Sequence, residues 1–458
     1  MSTESEIKEA VGVSRRTFLK YTGTGLILPT IIGMIPEVPI MGPVGWKAYA
    51  QSQGQLPDEW WQIASKFGQP TGKYGKVGEP VTLALAYQPY GSTGMVPQIQ
   101  RHRKILEKYL PQGSNVVWLQ ALSGPLLRNK MMSGDAGLGM IADNPAMAAG
   151  DKFFCAMISA GGYDTGESGA LCIRNDLLGE LKINGPAFLN DKPVGVNFGS
   201  FTHRQALTWA YENNVKPNLM HVSTKDQETA LREKKIAAAF IWEPNASSLE
   251  EEGIATRWIT GLDMPCTCKK YYPVAAPHNF MYVASTLAIY DWLRDRPDVV
   301  GAYLRSEEEC RDMLTNEPDL AAYYCTIDQP NANPAILRVG IDMWIWDGRI
   351  TPECRNHLKG VARMWRETGN LTSAPTKDPD KFVDEWADDR FLRLAMKDLK
   401  AKGQWTSDNL PGFPKEVRPD QLKRHSWKTY EGIKLQEKPW TPTKSSFDVK
   451  ELMKGSQE

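Results

Sequence analysis

The sequence predicts an α/β fold of two lobes, with mostly parallel sheets covered by helices and a helical and extended C-terminal extension. Three observations lead there. Between Val81 and Ala149 short β-like runs alternate with helical ones, the pattern of strands covered by crossover helices. A second such set starts at Lys192 and closes near Trp242. After His278 the periodicity is helical for most of the remaining length, so the chain has finished two sheets before its helical part begins. A chain of 458 residues, at ~100–200 residues per domain, accommodates two lobes, an appendage and a large core.

Taken in chain order, the first feature is Ser14-Arg15-Arg16-Thr17-Phe18-Leu19-Lys20, an uncharged stretch from Tyr21 to Pro36, and Ala48-Tyr49-Ala50. This reads as an export signal with a small-residue cleavage site, leaving a mature chain that starts near Gln51. Gly23, Gly25, Pro29, Gly33 and Pro36 interrupt the apolar run, which falls short of the ~20 apolar residues of a membrane-spanning helix. Trp60-Trp61 is expected to anchor the mature N-terminus. Val81 to Tyr87 is the first strand, with large apolar side chains on one face and small ones on the other. A helix follows from Met95 to Tyr109, then a strand from Asn115 to Gln120, a helix from Pro125 to Met132, a strand from Ala136 to Ala142 and a helix opening at Pro145. The second set comprises strand Lys192 to Phe198, helix Phe201 to Asn213, strand His221-Val222, a charged helix Gln227 to Lys234 and strand Ala237 to Trp242. Strands crossing between the lobes are expected near 159–172 and 273–284. Trp344-Ile345-Trp346 reads as helix or loop, Thr372 to Asp380 as a loop, and the chain beyond Gln404 as a polar, Pro-rich tail on the surface.

Composition excludes some functions. With 54 basic and 54 acidic residues there is no broad electropositive surface for nucleic acid. The seven cysteines are an odd number, so at least one is free or intermolecular. Cys266-Thr267-Cys268 with His278 lacks the spacing of a zinc site. The six histidines are scattered, and no nucleophile-elbow, metalloprotease, P-loop or dinucleotide motif occurs. No catalytic residue, metal or cofactor is expected.

Three strand-to-helix junctions have loop chemistry suited to a ligand. Ser123-Gly124-Pro125 sets a capping serine and a glycine before a proline in the first helical turn. Gly199-Ser200-Phe201-Thr202-His203 repeats the arrangement, and Asp143-Asn144-Pro145 ends one strand and starts a helix. Helix starts offer free backbone N–H groups and the positive end of the helix dipole, and so favour an anion. His203, one turn into its helix, is expected to be neutral under that dipole and to donate to a ligand oxygen.

Together with Tyr87-Gln88-Pro89, Val117-Trp118, Ser133-Gly134-Asp135-Ala136-Gly137, Ala237 to Pro244 and Arg296-Pro297-Asp298-Val299-Val300, these junctions resemble the nitrate/sulfonate/bicarbonate (taurine-like) family of ABC-transporter substrate-binding proteins. The likeness runs from about Pro80 to Gly369. It implies a type II periplasmic binding protein fold, whose two lobes close around a small oxyanion-bearing solute: sulfonate, nitrate, bicarbonate or carboxylate. It implies that Gln88, Ser123, Gly124, Asn144, Ser200, Phe201, His203 and Trp242 line the cleft, with Tyr87 and Trp242 placed to hold an organic tail. The boundaries are then signal 1-50, N-terminal segment 51-79, one lobe from 80-165 and 275-370, the other from 166-274, and an extension over 371-458. The alternative is a cofactor- or metal-dependent enzyme on the same fold, related to thiamine-precursor synthases, with Lys269-Lys270 beside Cys266 and Cys268 as its one possible centre.

The resemblance further implies a monomer that serves a membrane permease and its ATPase from the periplasm. The pattern around Arg15 and Arg16 resembles the twin-arginine class of export signals, so the export machinery is an expected partner. Replacing both arginines by lysine is expected to leave precursor in the cytoplasm. Fractionation that finds the variant exported as before would contradict this route.

Overall fold

The computed structural model describes residues 56–89, 91–264, 271, 279–413 and 424–445. The export signal, Cys266, Cys268, Lys269, Lys270 and His278 lie outside the described residues.

Helix α1 (Asp58–Ala64) carries Trp60 and Trp61 at its buried face. The first βα run is β1 (Thr82–Tyr87), α2 (Met95–Arg103), β2 (Asn115–Gln120), α3 (Gly124–Met132), β3 (Leu138–Ala142) and α4 (Asp143–Lys152). Helix α2 stops six residues earlier than predicted, because Lys104 takes a left-handed conformation, φ 53°, and ends it. Strand β4 (Cys155–Asp164) then runs the full depth of the sheet, and every residue of it is buried. The chain crosses to β5 (Gly169–Arg174), α5 (Leu178–Asn184), β6 (Pro193–Val196), α6 (Phe201–Glu212), β7 (Asn218–His221), α7 (Thr224–Arg232), β8 (Ala238–Trp242), α8 (Asn245–Glu251) and β9 (Ala255–Thr260). It returns in β10 (Val283–Ile289), followed by α9 (Tyr290–Asp295), α10 (Pro297–Asn316), α11 (Pro318–Asp328), α12 (Pro334–Asp342), the short β11 (Trp344–Ile345), α13 (Pro352–Glu367), α14 (Pro379–Trp386) and α15 (Arg390–Ala401).

The first sheet has the order β11-β4-β10-β3-β1-β2 and the second β7-β6-β8-β5-β9. Both are mixed. The βα runs pair in parallel, as β1 does with β2 and β3, and β6 with β7 and β8. The strands next to the crossings pair antiparallel, β10 with β3 and β4, β5 with β8 and β9. A crossing strand enters each sheet from the opposite end, which the βα pattern alone does not reveal. Trp344-Ile345 is a strand rather than a helix or loop, pairing with the end of β4.

Where the chain passes between the sheets, two segments lie backbone to backbone. Leu262 donates to the Gly166 carbonyl at 3.1 Å and Phe280 to the Gly261 carbonyl at 3.0 Å. A Cβ on Gly261 would stand 2.1 Å from the Phe280 carbonyl oxygen and 2.7 Å from that of Gly166, so only glycine permits this approach.

The helical layer over the first sheet is tied down from several directions. Trp60 packs on Phe391 of α15 with ring centroids 5.8 Å apart, which anchors the N-terminal segment as expected. Gly301 of α10 leaves room for that indole, since a Cβ there would lie 2.5 Å from it. The first part of the extension belongs to this layer: Trp386 and Phe391 are buried, and Asp388 donates to the Met157 carbonyl of β4 at 2.8 Å. Each such aromatic contributes about 1.5–3 kcal/mol by leaving water. Within the layer, Glu307 accepts from Ser159, Thr286 and Arg311 at 2.6, 2.6 and 2.9 Å, while Glu308 accepts from Arg311 and the Ser407 N–H at 2.7 Å each. These charges are fully buried and survive only because each is paired and hydrogen-bonded. The described cysteines, Cys155, Cys172, Cys310, Cys325 and Cys354, are free and buried. No described helix is long and apolar enough to cross a membrane.

Asp164, at the crossing end of β4, is fully buried, and loss of hydration pushes its carboxyl up to about 7 against the hydrogen bond it accepts from the Ser168 N–H. The folded chain therefore holds a proton that the unfolded chain, with Asp near about 3.9, releases. This contribution to stability is complete below about pH 4, is lost as pH rises to about 7 and is level above that. Asp164→Asn is expected to flatten that fall in urea midpoints between pH 4.5 and 7.5, relative to the parent chain. An unchanged slope would contradict the assignment.

Candidate functional site

Four helix starts meet between the two sheets. The turn at Ser92–Gly94 leads into α2, and α3 begins at Gly124, α4 after Ala142 and α6 after Ser200. Each follows the carboxyl end of a strand, where ligands of open α/β sheets gather. The cavity they enclose is lined by Gln88, Gly91, Ser92, Thr93, Gly124, Ala142, Pro145, Ser200, Phe201, Trp242 and Tyr282. Gly91, Ser123 and Ala142 supply no side-chain cap to the helices they precede, whereas Ser200 accepts from the His203 N–H at 3.3 Å. The uncapped start of α3 leaves first-turn N–H groups for a ligand, whereas at α4 the Asn144 N–H donates to Asp143 Oδ1 at 2.7 Å and Pro145 has none. None of the lining side chains carries a charge at neutral pH, and burial holds the Tyr282 hydroxyl protonated, well above its ordinary range.

The cavity measures about 20 Å³, room for about one water. Its walls are close-packed: Phe201 stacks on Tyr282 at 3.7 Å, and a Cβ on Gly124 would stand 2.6 Å from Pro145. Trp242 separates it from an outer groove of about 560 Å³, bordered by Ser123, Leu126, Thr224, Lys225, Pro244, Asn245 and Asn331 among others. The two sheets are therefore closed on each other, and apolar packing runs without a break from Met140 and Tyr282 to Phe240 and Trp242.

Of the residues expected at the site, Gln88, Gly124, Ser200, Phe201 and Trp242 line the cavity, while Ser123 faces the outer groove. Asn144 is fully buried between the lining residues Ala142 and Pro145; its Oδ1 accepts from Arg204 at 3.0 Å, and its Nδ2 has no hydrogen-bond partner among the described residues. His203 does not line the cavity. Its Nδ1 accepts from the Gly199 N–H at 3.3 Å, and its ring stacks on Phe198 at 4.8 Å. It is neutral, as expected, but burial is the main reason, with His221 adding to it, and together they bring its pKa down to about 4. Tyr87 is also turned away: its hydroxyl accepts from Arg101 at 2.6 Å and Gln120 at 2.9 Å.

No family model and no curated protein sequence matches this chain. Solved structures do. The alkanesulfonate-binding protein of Xanthomonas axonopodis pv. citri bound to MOPS superposes with a TM-score of 0.53 at 16% identity, over 65% of this chain and 98% of that one. The periplasmic aliphatic sulphonate-binding protein of Escherichia coli gives 0.52 at 15% identity, over 69% and 100%. The periplasmic nitrate-binding protein of Synechocystis PCC 6803 gives 0.54 at 12% identity, over 73% and 92%. The chain has the periplasmic binding protein fold.

In that fold the most consequential residue is one the sequence did not single out. Arg204 of α6 is fully buried; its guanidinium contacts Asp143 of α4 at 3.3 Å, Asn144 at 3.0 Å and the Met281 carbonyl at 2.7 Å, and it lies 4.3 Å over the Phe280 ring. Asp143 also accepts from the Val283 N–H at 3.2 Å and lies 3.2 Å from His357 Nε2. An ion pair with no solvent contact thus joins helices of the two sheets directly behind the cavity. Among the described residues no group of histidine, cysteine and carboxylate side chains is arranged to hold a metal.

Arg204→Met would leave Asp143 buried without its main counter-charge. Urea unfolding is expected to show a loss of about 3–5 kcal/mol. A loss under about 1 kcal/mol would show that the pair holds nothing together.

Proposed function

We propose that this chain is the solute-binding component of an ABC importer, capturing a small oxyanion-bearing solute between its two lobes. The observation that carries this reading is the convergence of helix starts, mostly uncapped by side chains, on a cavity without a cationic side chain. Backbone N–H groups and helix dipoles suit planar or tetrahedral oxygen groups, namely nitrate, bicarbonate, carboxylate or sulfonate. The ligand set is Gln88, Gly124, Ser200 and Phe201, with Thr93 and Tyr282 added, Asn144 Nδ2 as a further donor and Trp242 closing the cavity toward the groove. Ser123 serves at the groove, and His203 supports the α6 start rather than the solute. The sulfonate- and nitrate-binding proteins of like fold support the same class of ligand.

One lobe comprises 80–165 with 275–370, the other 166–274, and the present cavity admits an anion only after the lobes part. Delivery then requires a membrane permease and its ATPase, with the chain working in the periplasm after twin-arginine export.

A thermal-shift screen tests the reading. Nitrate, bicarbonate, carboxylates or sulfonates are expected to stabilise the protein, by about 2.7 kcal/mol at a hundredfold excess over the dissociation constant. Gly124→Ala, whose methyl group would collide with Pro145, is expected to weaken that response. Shifts produced only by neutral or cationic solutes would contradict it.

A further inference from the structure

Residues 424–445 follow a path that neither sheet requires. Apart from a short helical turn at Trp427–Tyr430 and a single bridge from Lys444 to Gln404 they form no regular secondary structure, and they begin at the two segments by which the chain passes between the sheets. Arg424 pairs with Asp263, just after β9. The His425 N–H donates to Glu167 Oε1 at 2.8 Å and its ring nitrogen meets the other carboxylate oxygen. Glu167 stands between β4 and β5, and its side chain is only 1% exposed, so residues of the tail satisfy a carboxylate that has left water.

From there the tail is fastened to helices that cover the first sheet. Tyr430 donates to Asp342 of α12 and lies under the Arg338 guanidinium at 4.4 Å. Tyr324 of α11 donates to Glu437 at 3.0 Å, Arg103 of α2 lies 5.5 Å over Trp440, and the Thr443 N–H donates to Asp312 of α10 at 2.6 Å. One continuous strap thus connects both crossing segments to one helical layer.

We propose that residues 424–445 are a brace that holds the crossing segments against the helical layer of the first sheet and so limits how far the two sheets part. Hinged movement that rotates the backbone at 165–168 or 261–264 displaces Glu167 or Asp263 from His425 or Arg424. The brace acts whatever solute is bound, and it can be tested without one.

Hydrogen–deuterium exchange and X-ray scattering of the solute-free, full-length protein decide it. Arg424→Glu is expected to speed amide exchange in 165–168 and 261–264 by about two- to five-fold, the worth of one exposed ion pair, and to enlarge the radius of gyration. Arg424→Lys, which keeps a cation opposite Asp263, is expected to leave both quantities near the parent values. Arg424→Gln, a milder change, serves if the reversal alone unfolds the chain, as shown by circular dichroism. Unchanged exchange and radius in folded Arg424→Glu, or a lysine variant loosened as much as the glutamate one, would overturn the proposal.

Discussion

Backbone N–H groups in the first turn of a helix have no partner in their own helix, and this chain directs four such starts into one small space. Most proteins cover these groups with a serine, threonine or aspartate one residue earlier. Here Gly91 and Ala142 have no side chain able to do so, and Ser123 leaves its helix uncovered. The tight packing of Gly124 on Pro145 and of Phe201 on Tyr282 then follows from the need to keep the starts close. Positive partial charge gathered in this way repels itself. The cluster is stable only with compensation nearby, and Asp143, buried behind the cavity, supplies a negative group in contact with α4 and with Arg204 of α6.

The Asp143–Arg204 pair also sets the surroundings of the cavity. A cation on the cavity wall would bind an anion through charge; a cation already neutralised behind the wall orients instead. Arg204 holds Asn144 by its oxygen, which leaves the amide nitrogen as a buried donor without a partner among the described residues. Leaving such a donor unmade costs about 1–3 kcal/mol, which is the ground on which we propose it as a donor to the solute. Opening the sheets would expose the ion pair to water and remove its desolvation cost, which makes the pair a modest contributor to closure and a strong contributor to register.

The βα runs were legible because their signals are local. Ser123-Gly124-Pro125 and Ser200-Phe201 announce strand-to-helix junctions through residues that touch one another, and these junctions proved to surround the cavity. Arg204 was not legible: in sequence it is one more cation on a helix, and its partner Asp143 lies 61 positions away. His203 misled for the same reason. Its place one turn into α6 suggested a donor to a ligand, whereas the fold gives it the Gly199 N–H and the Phe198 ring. The mixed sheets were hidden because β5 and β10 take their direction from the crossing rather than from their own residues. The extension looked like an appendage, yet Trp386 and Phe391 complete the core and the strap residues satisfy a buried carboxylate.

The most direct measurement is anomalous diffraction from crystals grown with bromoethanesulfonate. The account predicts a sulfonate between the starts of α2, α3 and α6, with oxygens about 3 Å from backbone nitrogens near Gly124 and Phe201, and a bromine peak on the Trp242 side. A sulfonate held by surface lysines, or a cleft without density while the ion is bound elsewhere, would contradict it.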